Sequence, residues 1–320
     1  MKIRFVLGKG GVGKTTVSAA IGVGIAESGK SVFLSSLDPA HNLGDALSVK
    51  LSNKATTVNQ RLKAVEINTE SIIKEYLSEM SQKLKTTYRY LYTMNLDKYF
   101  DILKHSPGIE EYAILESIQK TIHTEMADIL IFDTPPTGIT QKVLALPKLT
   151  LIWVERLIKM RKGILSKRQM IKNVRGEYSA VVGDELVELP TEEEKDDIMI
   201  ELKKYGKELH EIDEILSSQD TTIYIVTLPE ELSLFETERI LTFMNEFKIH
   251  VGGIFLNKVL RIENPPREIA GKIKEQEYVI SEMAKRFSGI KITEIPLLES
   301  SPRGTKALYK LYKEYIEEGL

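Results

Sequence analysis

Residues 8–16 read Gly-Lys-Gly-Gly-Val-Gly-Lys-Thr-Thr, with the spacing G-x-x-x-x-G-K-[ST]. Each residue type has a task around a polyphosphate. Gly8, Gly10, Gly11 and Gly13 let the backbone turn tightly and, with Val12, leave bare N–H groups facing one hollow. A helix starting at Thr15 and Thr16 adds the positive end of its dipole to that hollow. Lys14 brings a point charge to the outer phosphates, and the Thr15 hydroxyl suits Mg²⁺. The competing reading is a glycine-rich turn without a ligand. The strand before the loop, the lysine and the threonines all favour phosphate.

Two carboxylates stand where such a site needs them. Asp38 follows the buried run Ser31 to Leu37, and Asp133 follows the buried run Ala127 to Phe132. Ligand chemistry in an open α/β sheet collects at these carboxyl ends of strands. Asp133 is expected to hold the Mg²⁺ shell through water, and Asp38 to orient the attacking water. Asp38-Pro39 also suits a simple helix cap, and that alternative stays open on residue type alone. Asn257 closes the run Val251 to Leu256. Its amide can meet both a donor and an acceptor edge of adenine.

These residues require a sheet to position them. Strands are expected at Lys2 to Leu7, Ser31 to Leu37, Leu62 to Ile67, Ala127 to Phe132, Thr222 to Thr227, Val251 to Leu256 and Lys291 to Ile295. Helices are expected over Val17 to Glu27, closed by Gly29, and over Arg303 to Glu317. The fold class is α/β: a doubly wound, mostly parallel sheet of roughly seven strands. Ser71 to Glu125 is too long for a plain crossover and reads as an inserted helical subdomain. Its apolar residues include Leu77, Tyr88, Leu91, Tyr92, Met94, Leu96, Tyr99, Phe100, Ile102 and Leu103. A new helix is expected after Pro107-Gly108. Leu144 to Ile171 carries an apolar stripe, with Trp153, Leu157, Met160 and Ile164, interleaved with lysines and arginines. An amphipathic helix packed on a core is the plainer reading of that stripe. Tyr178 to Leu189 is expected to form a hairpin around Gly183-Asp184, and Thr191 to cap an acidic helix. The division is therefore 1–70, 126–147 and 219–320 for the sheet domain, and 71–125 with 148–218 for the helical part.

Lys9, directly after the first glycine, makes the loop resemble the deviant phosphate loop of the dimeric ATPases that include MinD, ParA, the nitrogenase iron protein and the arsenite pump ATPase. The resemblance implies that Lys9 crosses a dimer interface to the partner's nucleotide. The run Asp38-Pro39-Ala40-His41-Asn42-Leu43-Gly44-Asp45-Ala46 resembles the first switch of one branch of that class. That branch holds the arsenical pump-driving ATPase and the guided-entry ATPase for tail-anchored membrane proteins. Asp133-Thr134-Pro135-Pro136-Thr137-Gly138 is similar to its second switch, with Pro135 for Ala and Ile139 where a His often follows. The resemblance covers nearly the whole chain. It implies ATP and Mg²⁺ as cofactors and makes Asp38 catalytic, with Lys9 and Lys14. It places Asn42 on the phosphate side, Glu230 near the nucleotide of the dimer, and Asn257 with Pro296 and Leu297 at the adenine. It also implies a hydrophobic groove for a client transmembrane helix, built from the two inserts, and a transient membrane receptor.

Composition narrows the rest. The 320 residues contain no cysteine, and net charge is −2. Cysteine disulfides, thiolate metal sites and cysteine nucleophiles are excluded, and no zinc is expected where that branch often carries Cys-x-x-Cys, over Asn264 to Phe287. Trivalent arsenic needs soft thiolates, so the arsenical pump reading is the weaker alternative within the branch. An ATP-stabilised holdase without productive hydrolysis is the alternative from another class. No basic surface calls for nucleic acid, and no run approaches the ~20 apolar residues of a membrane span. The apolar start stops at Leu7, short of a signal peptide, so a cytoplasmic protein is expected. The resemblance, with one cassette in this chain where the arsenite pump ATPase has two, implies a homodimer.

Overall fold

The structure is a computed structural model that describes residues 1–40, 42–87, 106–176, 179–182, 185–262 and 265–320. Its centre is β1 (Lys2–Leu7), a run of Ile3, Phe5, Val6 and Leu7 with almost no exposed surface. Such a run is buried on both faces, as the interior of a parallel sheet requires. β1 pairs in parallel with β5 (Ile129–Asp133) on one side and β8 (Thr221–Thr227) on the other. Among the described residues the sheet has eight strands, in the order β10-β9-β8-β1-β5-β2-β4-β3. The remaining strands are β2 (Val32–Ser36), β3 (Thr56–Thr57), β4 (Leu62–Glu66), β9 (Val251–Val259) and β10 (Ile292–Pro296). All neighbours are parallel except the edge pair β3–β4. The doubly wound architecture expected from the sequence is present. The expected seven strands become eight because Thr56–Thr57, too short to carry a period, adds an antiparallel edge.

Side chains alternate across the sheet and build two cores. Ile3, Phe5 and Leu7 face one side with Phe33, Leu130 and Phe132; the Phe5 and Phe132 rings stack at 4.9 Å. Val6, Leu34, Ile129 and Ile131 face the other, under α1 (Lys14–Glu27) and the C-terminal α9 (Gly304–Leu311) with its π-helical extension Tyr312–Ile316. Helix α1 thus starts three residues before Val17. Gly22 and Gly24 let α1 lie close: a β-carbon at Gly24 would sit 2.1 Å from Tyr312 Cγ.

The first face is covered by α4 (Ile109–Thr124), α5 (Thr137–Arg175), α6 (Asp197–Ser217), α7 (Glu231–Phe247) and α8 (Arg267–Arg286). Helix α2 (Leu43–Leu47) follows β2, and α3 (Thr69–Thr87) opens the first insert. The expected helix after Pro107-Gly108 is α4, with Glu110 and Glu111 in its first turn. Tyr88, Leu91, Tyr92, Met94, Leu96, Tyr99, Phe100, Ile102 and Leu103 lie outside the described residues. Helix α5 runs 39 residues, about 58 Å at 1.5 Å per residue. It passes through Pro147, so the boundary expected between 147 and 148 falls inside one helix. The hairpin expected at Tyr178 to Leu189 is β6 (Ser179–Val182) against β7 (Glu185–Glu188).

Helix α6 is not capped by Thr191. A 3₁₀ turn, Glu193–Lys195, intervenes, and Asp196 accepts from Met199 N at 2.8 Å. The Asp196 carboxylate, which is buried, also takes a two-pronged bond from Arg161 of α5, at 2.9 and 2.6 Å. That tertiary pair, which holds the Asp196 carboxyl below its ordinary range, selects the cap.

Gly24→Ala sets two effects against each other. The helix gains about 1 kcal/mol in propensity, while overpacking against Tyr312 costs about 1–3 kcal/mol or more. With the new carbon inside the ring's own volume, overpacking wins. Urea unfolding should show a net loss of about 1–2 kcal/mol. Unchanged stability would mean that the C-terminal segment does not pack on α1 as described.

Candidate functional site

The carboxyl ends of β1, β2, β5, β8 and β9 lie on one edge of the sheet, and the expected site residues collect there. The phosphate loop leaves β1 at Gly8, where a β-carbon would meet Val226 O of β8 at 2.2 Å. Gly11 and Gly13 have φ of 82° and 100°, in the region that favours glycine. Gly13 is doubly required, because a β-carbon there would lie 2.4 Å from Asn257 Nδ2. Val12 is buried, Gly10 is exposed, and Thr15 and Thr16 are half-buried in the first turn of α1.

Asp133 ends β5 with no exposed surface. Its Oδ2 accepts from Thr15 Oγ1 at 2.8 Å and Ser36 Oγ at 3.2 Å; its Oδ1 accepts from Ser18 Oγ at 3.2 Å. Burial pushes its pKa up to about 6. The Thr15 hydroxyl and the Lys14 ammonium pull it down, the Asp38 charge pushes it up again, and the Ser18 hydroxyl lowers it. The folded chain therefore loses stability to this group as pH rises from its ordinary value through about 6, and carries the full cost of the buried charge above that. A hard cation would relieve that cost. The donors present, a carboxylate and the Thr15 hydroxyl within 2.8 Å of each other, are oxygens of the type Mg²⁺ takes.

Lys14, 4% exposed, donates to Lys9 O at 3.3 Å and lies 3.6 Å from Asp38 Oδ2. The other Asp38 oxygen accepts from Ala40 N at 3.0 Å, which makes a local turn. Asn42, not Asp38, occupies the N-cap position of α2. The helix-cap reading of Asp38 thus gives way to a carboxylate turned toward the phosphate-loop lysine. Lys9 is exposed at the crest of the loop. After Asp133, Thr134 Oγ1 donates to Val6 O at 2.9 Å, and Thr140 Oγ1 to Pro135 O at 2.8 Å. The first bond ties the segment opening α5 to the end of β1, and the second closes that segment on itself.

The remaining expected residues are placed less centrally. Asn42 is exposed, and its side chain makes no cap bond. Glu230 precedes α7 and lies 3.7 Å from Lys272 Nζ of α8. Asn257 donates to Val12 O at 2.7 Å and accepts from Lys258 N at 2.9 Å. Part of the amide expected to meet adenine is thus engaged by the loop. Pro296 pairs with Val259, and Leu297 N donates to Val259 O at 2.9 Å, so the 296–297 loop flanks the strand end that carries Asn257. Sequence reasoning missed Ser18 and Ser36. The available signal was a serine inside an otherwise apolar helix, three residues after Thr15, and another in an apolar strand.

A family model described as anion-transporting ATPase matches residues 1–317. The chain is 29% identical to a Pyrenophora tritici-repentis protein named ATPase get3, over 98% of this chain and 90% of that one. It is 30% identical to an ATPase ASNA1 homolog of Dictyostelium discoideum, over 99% and 89%. It is also 30% identical to a putative arsenical pump-driving ATPase 1 of Aquifex aeolicus, over 97% and 78%.

Gly13→Ala should lower ADP affinity at least about tenfold, because an αL position costs an L residue about 1–2 kcal/mol and Asn257 must also move. Calorimetric titration reads this. An affinity equal to that of the unmodified protein would remove the Gly13–Asn257 contact from the account.

Proposed function

The chain belongs to the anion-transporting ATPase family and hydrolyses ATP, and from that premise we propose that it acts as a homodimer that carries tail-anchored membrane segments. In this reading Gly8 to Thr16 hold the phosphates, and Lys14 and Lys9 bring positive charge to them, Lys9 from across the dimer interface. Thr15 and Asp133 would hold Mg²⁺, which would supply neutralising charge to the outer phosphates. Asp38 holds the attacking water in line. Asn42 serves the phosphate side. Asn257, Pro296 and Leu297 form the adenine side, and Glu230 lies near the nucleotide of the dimer.

One observation carries the client reading. Helix α5 begins at Thr137, directly after the segment tied to β1, and continues unbroken to Arg175. Along it Leu149, Ile152, Trp153, Leu157, Met160 and Ile164 are exposed at three- and four-residue steps; Trp153 and Met160 are each 65% exposed. Residues spaced this way share one helix face. The adjoining side is packed: Val154 lies against Gly206 of α6, and Tyr112 of α4 bonds Thr150 at 2.9 Å. A single rigid element thus joins the second switch to an apolar face suited to an apolar helix. A client of that kind requires a membrane receptor that accepts it, and the cytoplasm is the compartment in which both meet. The relatives named for arsenical pumps support no thiolate site here, since the chain has no cysteine.

Two experiments test the reading. Asp38→Asn should lower ATP turnover on the order of a hundredfold; turnover like that of the unmodified chain would remove Asp38 from the role. Co-expression with a tail-anchored segment should yield a complex that is lost in the Trp153→Glu, Met160→Glu double variant. ATP hydrolysis without retention of any apolar helix would end the client reading.

A further inference from the structure

The carboxyl end of β9 grips the phosphate loop at two successive carbonyls. Lys258 Nζ donates to Gly11 O at 3.0 Å, and Asn257 Nδ2 donates to Val12 O at 2.7 Å. In a trans peptide the carbonyl and the next N–H point opposite ways. Fixing Gly11 O and Val12 O therefore fixes the directions of the Val12 and Gly13 N–H groups. Those are donors a phosphate loop uses.

Lys258 reaches the loop at a backbone cost. Its φ is 59°, in the left-handed region that a lysine rarely adopts. The chain on its far side is clamped. Gln276 of α8, 3% exposed, accepts from Leu260 N at 2.7 Å and donates to Leu260 O at 3.0 Å. One buried amide thus satisfies both backbone groups of one residue, as a neighbouring strand would. Between clamp and lysine, Val259 is held by β10 and by Leu297 N. A strained backbone persists where its surroundings over-determine it.

We propose that Lys258 is a positioning residue for the phosphate loop, and that Gln276 keeps it in that role by clamping the strand end that bears it. Lys258 acts on the loop carbonyl and not on the reacting atoms. Its loss therefore weakens every nucleotide that the loop must hold, in ground state and transition state alike. The side chain is exposed, so the effect is modest.

In Lys258→Met, KM for ATP and Kd for ADP should rise together by roughly three- to tenfold, with kcat within about twofold. Lys258→Arg, which keeps a cationic donor, should recover most of the loss. Gln276→Met should shift both constants in the same direction and add little in the Lys258→Met background; Gln276→Glu, which keeps an acceptor, replaces it if the Met variant does not fold. A purely structural role would move the urea midpoint and leave the nucleotide constants in place. The positioning role is overturned if KM and Kd stay within twofold in Lys258→Met, or if kcat falls while they hold. The clamp is overturned if the Gln276 effect adds in full.

Discussion

A carboxylate sealed from water is the constraint around which this molecule is arranged. Asp133 sits at the end of a central strand with no exposed surface, and its oxygens take three hydroxyls from two other elements. Thr15 and Ser18 come from α1, and Ser36 from β2. Each is there because an element was placed to bring it. β5 lies between β1 and β2, so α1, leaving β1, and the last residue of β2 both come beside it. Lys14 and Asp38 add one charge of each sign nearby. The pull on Asp133 is mixed, and burial wins, leaving its pKa near 6. Burial disfavours the charged form of Asp133, and a cation beside it would favour that form.

The same edge of the sheet governs what surrounds the pocket. Thr134 returns to β1, and the chain then enters α5 within four residues of Asp133. On the other flank, β9 reaches the loop through Asn257 and Lys258. The phosphate loop is thus braced from β9 on one flank, and the sheet edge runs on into a long helix on the other.

Much of this was legible in the residues. Buried parallel strands read as continuous apolar runs, and glycine loops with a following Lys-Thr have few other uses, so β1, β2, β5, β8 and β9 and the loop were identifiable. What escaped has physical reasons. Thr56–Thr57 is too short to show a period. Thr191 and Asp196 are both good N-cap types, and Arg161, remote in sequence, decides between them. Pro147 is a helix breaker by type, yet α5 carries through it: Val143 and Leu144 before it and Val154 after it are buried, and that packing offsets the lost helical donor and the ring's clash one turn back. Asn257 was identified by residue type, but its bond to Val12 depends on the approach of β9 to the loop, which no local pattern encodes. Ser18 and Ser36 were visible as polar residues in apolar runs, and their meaning appeared only with Asp133 between them.

The most direct measurement is a carbon-13 titration of the Asp133 side chain, followed by nuclear magnetic resonance in the presence and absence of Mg²⁺ and ADP. Without them the carboxyl should titrate with a midpoint at about 6. With them it should be ionised across the whole range from about pH 5 to about pH 8, since a bound cation favours the charged form. A midpoint near the ordinary carboxylate value of about 4 without ligand, unmoved by Mg²⁺ and nucleotide, would contradict the account of this site as a buried carboxylate prepared for a cation.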